Sequence, residues 1–424
     1  MMTPTVVLFA LLILFLLLSI PVGFALLLAS LGTIVITDIS IPFSILTQVL
    51  VTSNDSFPLM AIPFFILAGV LMGKGGVSER LLNIANSFVG HYRGGFAVAA
   101  VLTAMFFSAI SGSGPATVAA IGSIMIPEMV KRGYKKTFAT ALIAASGTIG
   151  IVIPPSIPLV IYGVSSGTSI GELFKAGIIP GILMGGALIV WVIIHARKEK
   201  YVADPKATWK ERMHFINKGK GALLMPIVIL GGIYGGIFTP TEAAVIAVVY
   251  GLILSLFVYR ELNWKSTIAL FYDSALSTGS IMIIVAAAAV FGRILTLEQI
   301  PNNVANAMMS ITDNPWLFLL LVNVLLLIVG TFMETIAAVI ILTPILLPLV
   351  TQLGIDPIHF GIIMIVNLSL GFITPPLGLN LFVASSISQI KIVQLSKAII
   401  PGFAVLVCVL LIITYIPWFA LAFK

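Results

Sequence analysis

SGTIGIVIPPSIP (Ser146–Pro158) and LSLGFITPPLGLN (Leu368–Asn380) carry the two Pro-Pro pairs of this 424-residue chain, 221 residues apart. Their surroundings repeat at the same offset. Pro127 aligns with Pro348, Gly133 with Gly354, Gly150 with Gly371, Ser165 with Ser386, Pro180 with Pro401 and Gly181 with Gly402. No gap is needed, and the matching residues are mainly Gly and Pro set in apolar sequence. Two consecutive prolines remove two backbone donors and push the preceding residue out of the helical region. Each motif therefore reads as a membrane helix broken at its centre. Two halves that each carry such a helix are how secondary transporters build a binding site at the membrane midplane. The competing reading, chance recurrence, is opposed by the regular spacing over more than fifty residues.

Composition sets the class. The chain is 60% hydrophobic and 9% charged, where a soluble protein carries roughly 25% charged residues. Successive apolar stretches long enough to span a bilayer predict an all-α polytopic membrane protein. The first run, Thr5–Thr37, is too long for a cleavable signal and lacks a basic start, so it is read as mature structure. The single cysteine, Cys408, allows no intrachain disulfide and no thiolate metal site. His91, His195, His214 and His359 share no spacing and are read as interfacial residues. No G-x-x-x-x-G-K-[ST] loop, H-E-x-x-H motif or nucleophile–base set is present, and no Arg-rich voltage-sensor span. ATPase, hydrolase and voltage-gated channel readings lose support accordingly.

The spans predicted in the first half lie near 5–19, 21–37 and 58–73, followed by an amphipathic segment at 77–91. A hairpin at 94–131, a broken span at 136–166 and a last span at 178–196 complete it. The second half repeats the plan at 222–237, 240–260 and 275–297, with a hairpin at 315–351, a broken span at 357–388 and a last span at 398–421. Each half thus has five crossings and one re-entrant hairpin. Five is odd, so the halves, 1–196 and 221–424, are predicted to be inverted repeats joined by a linker at 197–220. That linker holds eight Lys/Arg against three acids. Placed in the cytoplasm, it brings all 22 basic residues to that side except Lys175, Arg293 and Lys424. The +7 net charge then reports topology through the positive-inside rule, with both termini outside, and does not call for a nucleic-acid partner.

The first hairpin turns at Ser111-Gly112-Ser113-Gly114-Pro115 and the second around Gly330-Thr331-Phe332-Met333-Glu334. Unpaired carbonyls and hydroxyls at membrane depth are tolerated where they line a polar cavity or hold an ion. Carbonyls near Gly150–Ile153 and Gly371–Thr374 lose their helical partners at the negative end of a half-helix, which suits a small cation. The half-helices after the prolines offer free N–H groups and a positive dipole end, which suits an anion. An ordinary proline kink is the alternative at each break. Glu334 is the sharpest ionisable candidate. Glu242, after Thr239-Pro240-Thr241, reads as a helix cap, and Glu128 as interfacial. Arg293 either snorkels or meets an acidic substrate. Ser156, Thr331, Asn380 and Arg293 are the candidate substrate-binding residues.

The hairpin tip SGSGPATVAAIGS, the breaks IPPS and TPPLG, IPFFILAGVLM (Ile62–Met72) and TPTEAAVIAVVYG (Thr239–Gly251) together resemble the large membrane subunit of tripartite ATP-independent periplasmic (TRAP) transporters. The resemblance covers nearly the whole chain, with several motifs in order. It implies a bacterial inner-membrane protein that takes up an organic acid anion, driven by sodium. A periplasmic binding protein would deliver the anion, and a small four-helix membrane subunit, here a separate chain, would brace the large one. It also implies an elevator motion, with transport elements 94–166 and 315–388 moving against the remaining scaffold and arms near 77–91 and 263–274. By motif position, two sodium ions are expected. One would use Ser111, Ser113, Gly150 and Pro154; the other Gly330, Glu334, Gly371 and Thr374. Sialic acid is the first substrate expected, then a C4-dicarboxylate. A binding-protein-independent sodium/dicarboxylate symporter shares the hairpin plan and is the alternative. A channel and a membrane-embedded enzyme are readings of other classes.

Overall fold

A computed structural model of the chain describes residues 4–37, 42–199, 201–301, 303–304, 314–375 and 378–424. Among these residues every regular element is helical. The first half comprises α1 (Pro4–Leu17), α2 (Val22–Thr37), α3 (Phe43–Thr52), α4 (Ala61–Lys74), α5 (Val77–Val89), α6 (Gly95–Ser111), α7 (Gly114–Lys131), α8 (Lys136–Ser146), α9 (Ile157–Ser166) and α10 (Ile170–Glu199). The second comprises α11 (Trp209–Tyr234), α12 (Pro240–Leu252), α13 (Trp264–Leu297), α14 (Pro315–Phe332), α15 (Thr335–Gln352), α16 (Pro357–Gly371), α17 (Leu379–Ser388) and α18 (Ile392–Tyr415), with a closing turn, α19 (Trp418–Leu421). Eight helical stretches among the described residues are long and apolar enough to cross a bilayer.

Helices α7 and α9 recur 221 residues on, within one residue at each end, as α15 and α17; α8 and α10 recur with starts within one residue as α16 and α18, which end four residues later and five residues earlier. Their packing recurs too. Helix α7 packs on α17 and α15 on α9; α8 packs on α18 and α16 on α10. Each half therefore lays its hairpin arm against the half-helix of the other, and the two breaks are held in one bundle. The deepest core follows from this interlock. Phe65, Phe107, Tyr162, Phe174 and Phe360 are fully buried there.

The halves differ ahead of the hairpins. Helix α3 lies in a stretch for which no element was predicted. Shifted by 221 it falls on the start of α13, where a separate arm near 263–274 was predicted. That arm is instead continuous with the following span in a 34-residue helix. The cause is local chemistry. In the first half Ser53-Asn54-Asp55-Ser56, followed by Pro58, interrupts the path and leaves a 3₁₀ turn at Phe57–Met60 before α4. The second half has Ser274-Ala275-Leu276-Ser277 there, with Gly279 where the first has Pro58. Residues Asn263 and Ser266 close a capping box at the start of α13, and the helix runs on.

Glu242 is a cap, as the sequence suggests. Its carboxylate accepts from the Thr239 amide at 2.8 Å, while the Thr239 hydroxyl accepts from the Glu242 amide at 3.3 Å. Thr239→Ala is expected to cost about 1 kcal/mol of stability. It should lower the melting temperature and leave transport intact. His359 is not interfacial: it is 3% exposed, with Nε2 2.9 Å from the Ile413 carbonyl.

Candidate functional site

The first hairpin tip is a knot of hydroxyls. Gly112 turns the chain at φ +59°, and Ser113 caps α7. The Ser111 hydroxyl lies 2.9 Å from that of Thr117, which donates to the Ser113 carbonyl at 2.8 Å. Opposite lies the first break. After α8 the chain tightens to a 3₁₀ turn at Gly147–Ile151, and Ser156 then caps α9. The Ser156 hydroxyl donates to the Ile151 carbonyl at 2.5 Å and accepts from the Leu159 amide at 3.3 Å. Tip and break touch through glycine. A Cβ on Gly150 would stand 2.7 Å from the Ser113 carbonyl oxygen and 2.8 Å from the Thr117 hydroxyl. One on Gly112 would stand 2.8 Å from the Pro155 carbonyl oxygen.

The second tip and break meet in the same way. A Cβ on Gly371 would lie 2.2 Å from the Gly330 carbonyl oxygen. Glu334 occupies the N-cap of α15, and its Oε2 is buried with no hydrogen-bond partner among the described residues. The Thr331 and Thr374 hydroxyls donate back to Leu327 and Leu370 within their own segments. The second proline of this break, Pro376, lies outside the described residues.

Two adjoining cavities lie between these parts. The first, of 280 Å³, is lined by Ser111, Ser113 and Glu334 from the two tips and by the amino ends of four helices. These are Gly114–Ala116 of α7, Ile157 and Pro158 of α9, Ile336 of α15 and Leu379 of α17. The second, of 290 Å³, lies against Gly330, Thr331, Glu334 and Gly371. Glu334, Phe372 and Leu379 wall both. Among the described residues no Lys or Arg lines either one. Four positive dipole ends converging on one space favour an anion without a cationic side chain. The tip-to-break contacts offer carbonyl oxygens, the hard donors that suit an alkali cation.

The structure thus brings Ser111, Ser113, Gly330, Thr331, Glu334 and Gly371 to the cavity walls. Gly150 is at the tip–break contact, one layer behind. Pro154 and Ser156 are buried behind the first cavity, and Thr374 follows the second tip contact. Asn380 is fully buried and faces the other half, donating to the Ala144 carbonyl at 3.2 Å. Arg293 is exposed on α13 and lines neither cavity. Sequence reasoning missed Thr117, Gly69 of α4, and Ser277 and Ile281 of α13. A Cβ on Gly69 would stand 3.0 Å from the Ser111 Cα, so α4 presses on the tip. A glycine within the apolar run of α4 was the available signal; nothing in the sequence marked Ser277.

This architecture is that of a membrane transporter. The fold matches the crystal structure of the Alcanivorax borkumensis YdaH transporter with a TM-score of 0.68, over 90% of this chain and 89% of that one, at 15% identity. Residues 9–419 match the family described as tripartite ATP-independent periplasmic transporter, DctM component, and the chain belongs to that family. It is 52% identical to the isethionate TRAP transporter permease protein DctMQ of Oleidesulfovibrio alaskensis over 98% of its length, and spans 65% of that protein. It is 47% identical to the C4-dicarboxylate large permease protein of Pseudomonas aeruginosa, over 87% of each chain. It is 40% identical to the sialic acid large permease protein of Vibrio cholerae, over 95% of this chain and 94% of that one. The relatives are transporter permeases, not enzymes.

Proposed function

We propose that this chain is the transport subunit of a sodium-coupled, binding-protein-dependent importer of a small organic anion in the bacterial inner membrane. The observation that carries the reading is the convergence of four helix amino ends on a cavity with no basic side chain among the described residues, beside two tip–break contacts rich in carbonyls. The anion sits at the amino ends. Two sodium ions are held at the tip–break contacts, around Ser111, Ser113, Gly150 and Pro154 and around Gly330, Glu334, Gly371 and Thr374, chiefly by carbonyl oxygen. The hairpins and broken helices move together as an elevator past α4 and α13. A periplasmic binding protein supplies the anion, and a small membrane subunit braces the scaffold.

A C4-dicarboxylate or a short sulfonate such as isethionate is favoured by the relatives that are 47% and 52% identical. N-acetylneuraminate, the first expectation from the sequence, moves behind them. The test is initial uptake of labelled succinate, isethionate or N-acetylneuraminate into proteoliposomes holding this chain, the small subunit and the binding protein. Uptake should rise sigmoidally with external sodium and fall to background when the binding protein is left out. Uptake indifferent to sodium but stopped by collapsing a proton gradient would overturn the coupling. Full uptake by this chain alone would favour the binding-protein-independent symporter.

Orientation has its own check. In a Cys408→Ser background, Lys206→Cys should react with impermeant thiol reagents only from the cytoplasm, and Gln352→Cys only from the periplasm. Labelling of both from one side contradicts the inverted repeat.

A further inference from the structure

The basic linker does more than report topology. Its segment 201–208 is laced to three different elements. Tyr201 lies against the Tyr134 ring at 4.1 Å, and its hydroxyl is 3.2 Å from Nε2 of His195 on α10. Just before it, Glu199 pairs with Lys135 at 2.8 Å, at the foot of α8. Asp204 is forked. It forms an ion pair with Arg132, at the foot of the first hairpin, and accepts from Asn86 Nδ2 of α5 at 3.1 Å. Its own amide donates to the Gly90 carbonyl at the end of α5, 3.0 Å away. Beyond it, Arg212 of α11 donates to the Ser87 carbonyl of α5 at 3.1 Å.

We propose that this segment is a latch, in which Asp204 ties the foot of the first hairpin (Arg132) to helix α5 (Asn86, Gly90) and so holds the hairpin unit in the position seen here. The inference rests on the reading that this unit moves relative to α5 and α11. The fork is built to release. The Arg132 and Asp204 side chains are 33% and 30% exposed, so water can replace either partner at low cost. Arg132 also keeps an alternative seat, its guanidinium lying 3.8 Å from the centre of the Phe96 ring. The Arg132 arm joins the moving unit and the Asn86 arm joins α5. Movement of the hairpin foot away from Asn86 breaks one arm, and the fork adds to the packing of α5 on α6 in holding the resting position.

The experiment uses the full chain with Cys408→Ser in lipid nanodiscs, spin-labelled at Lys131→Cys and Lys210→Cys. Pulsed electron–electron resonance reads the distance distribution with and without sodium and succinate. One dominant distance is expected without ligand. Asp204→Ala should raise a second distance several-fold in population. The paired exchange Asp204→Arg with Arg132→Asp should return the distribution toward the original, which a merely misfolded variant would not allow. Two distances whose ratio ignores both changes would overturn the latch alone. A single unchanging distance in every variant and condition would overturn the moving-unit reading on which it stands.

Discussion

Gly371→Ala should abolish most uptake while the protein still reaches the membrane. The added methyl would stand 2.2 Å from the Gly330 carbonyl oxygen, 2.4 Å from its carbon and 2.7 Å from its Cα. All three are backbone atoms, so no rotamer change relieves the clash. The second tip must move off the break, and the carbonyls proposed to hold sodium separate. Overpacking of this kind costs about 1–3 kcal/mol, which corresponds to about a 5- to 150-fold loss if it falls on the transport step. Initial uptake against sodium, with expression followed in parallel, is the measurement. An alanine variant with unaltered sodium dependence would remove the second contact from the coupling mechanism.

Gly150→Ala should be milder and more selective. Its methyl would meet the Ser113 carbonyl oxygen at 2.7 Å and the Thr117 hydroxyl at 2.8 Å. The hydroxyl can rotate away; the carbonyl cannot. The expected result is a several-fold rise in the sodium concentration for half-maximal uptake, with the maximal rate less affected. Ser113→Ala, which keeps the carbonyl, should change sodium dependence less than Gly150→Ala. The reverse order would transfer the proposed coordination from backbone to side chain.

The backbone-special residues made much of this molecule legible from sequence. Pro154-Pro155, Pro375 and the glycines near each tip leave a pattern because a break and a tight turn demand those residue types. The chemistry of capping was equally local, which is why Glu242 could be read. What escaped was whatever depends on a distant element. Gly69 and Ser277 wall the first cavity only because α4 and α13 are packed beside the tip. Asn380 looked like a ligand because it follows a break, yet its amide crosses into the other half. Arg293 looked like one because it is charged in an apolar run, and it lies exposed. Within 197–220, Asp204 was hidden among the basic residues, whose count answered a different question.

Helix α13 runs unbroken for 34 residues, about 51 Å at 1.5 Å per residue, whereas its counterpart in the first half is jointed between α3 and α4. A rod transmits bending and a joint absorbs it. The frame around the two interlocked halves is therefore stiff on one side and compliant on the other. In a perfectly two-fold machine the outer and inner stations of the cargo would have equal elastic energy by symmetry. If the transport elements move as proposed, that equality would be removed here by four residues and a proline, and a bias between the stations would need no bound ligand.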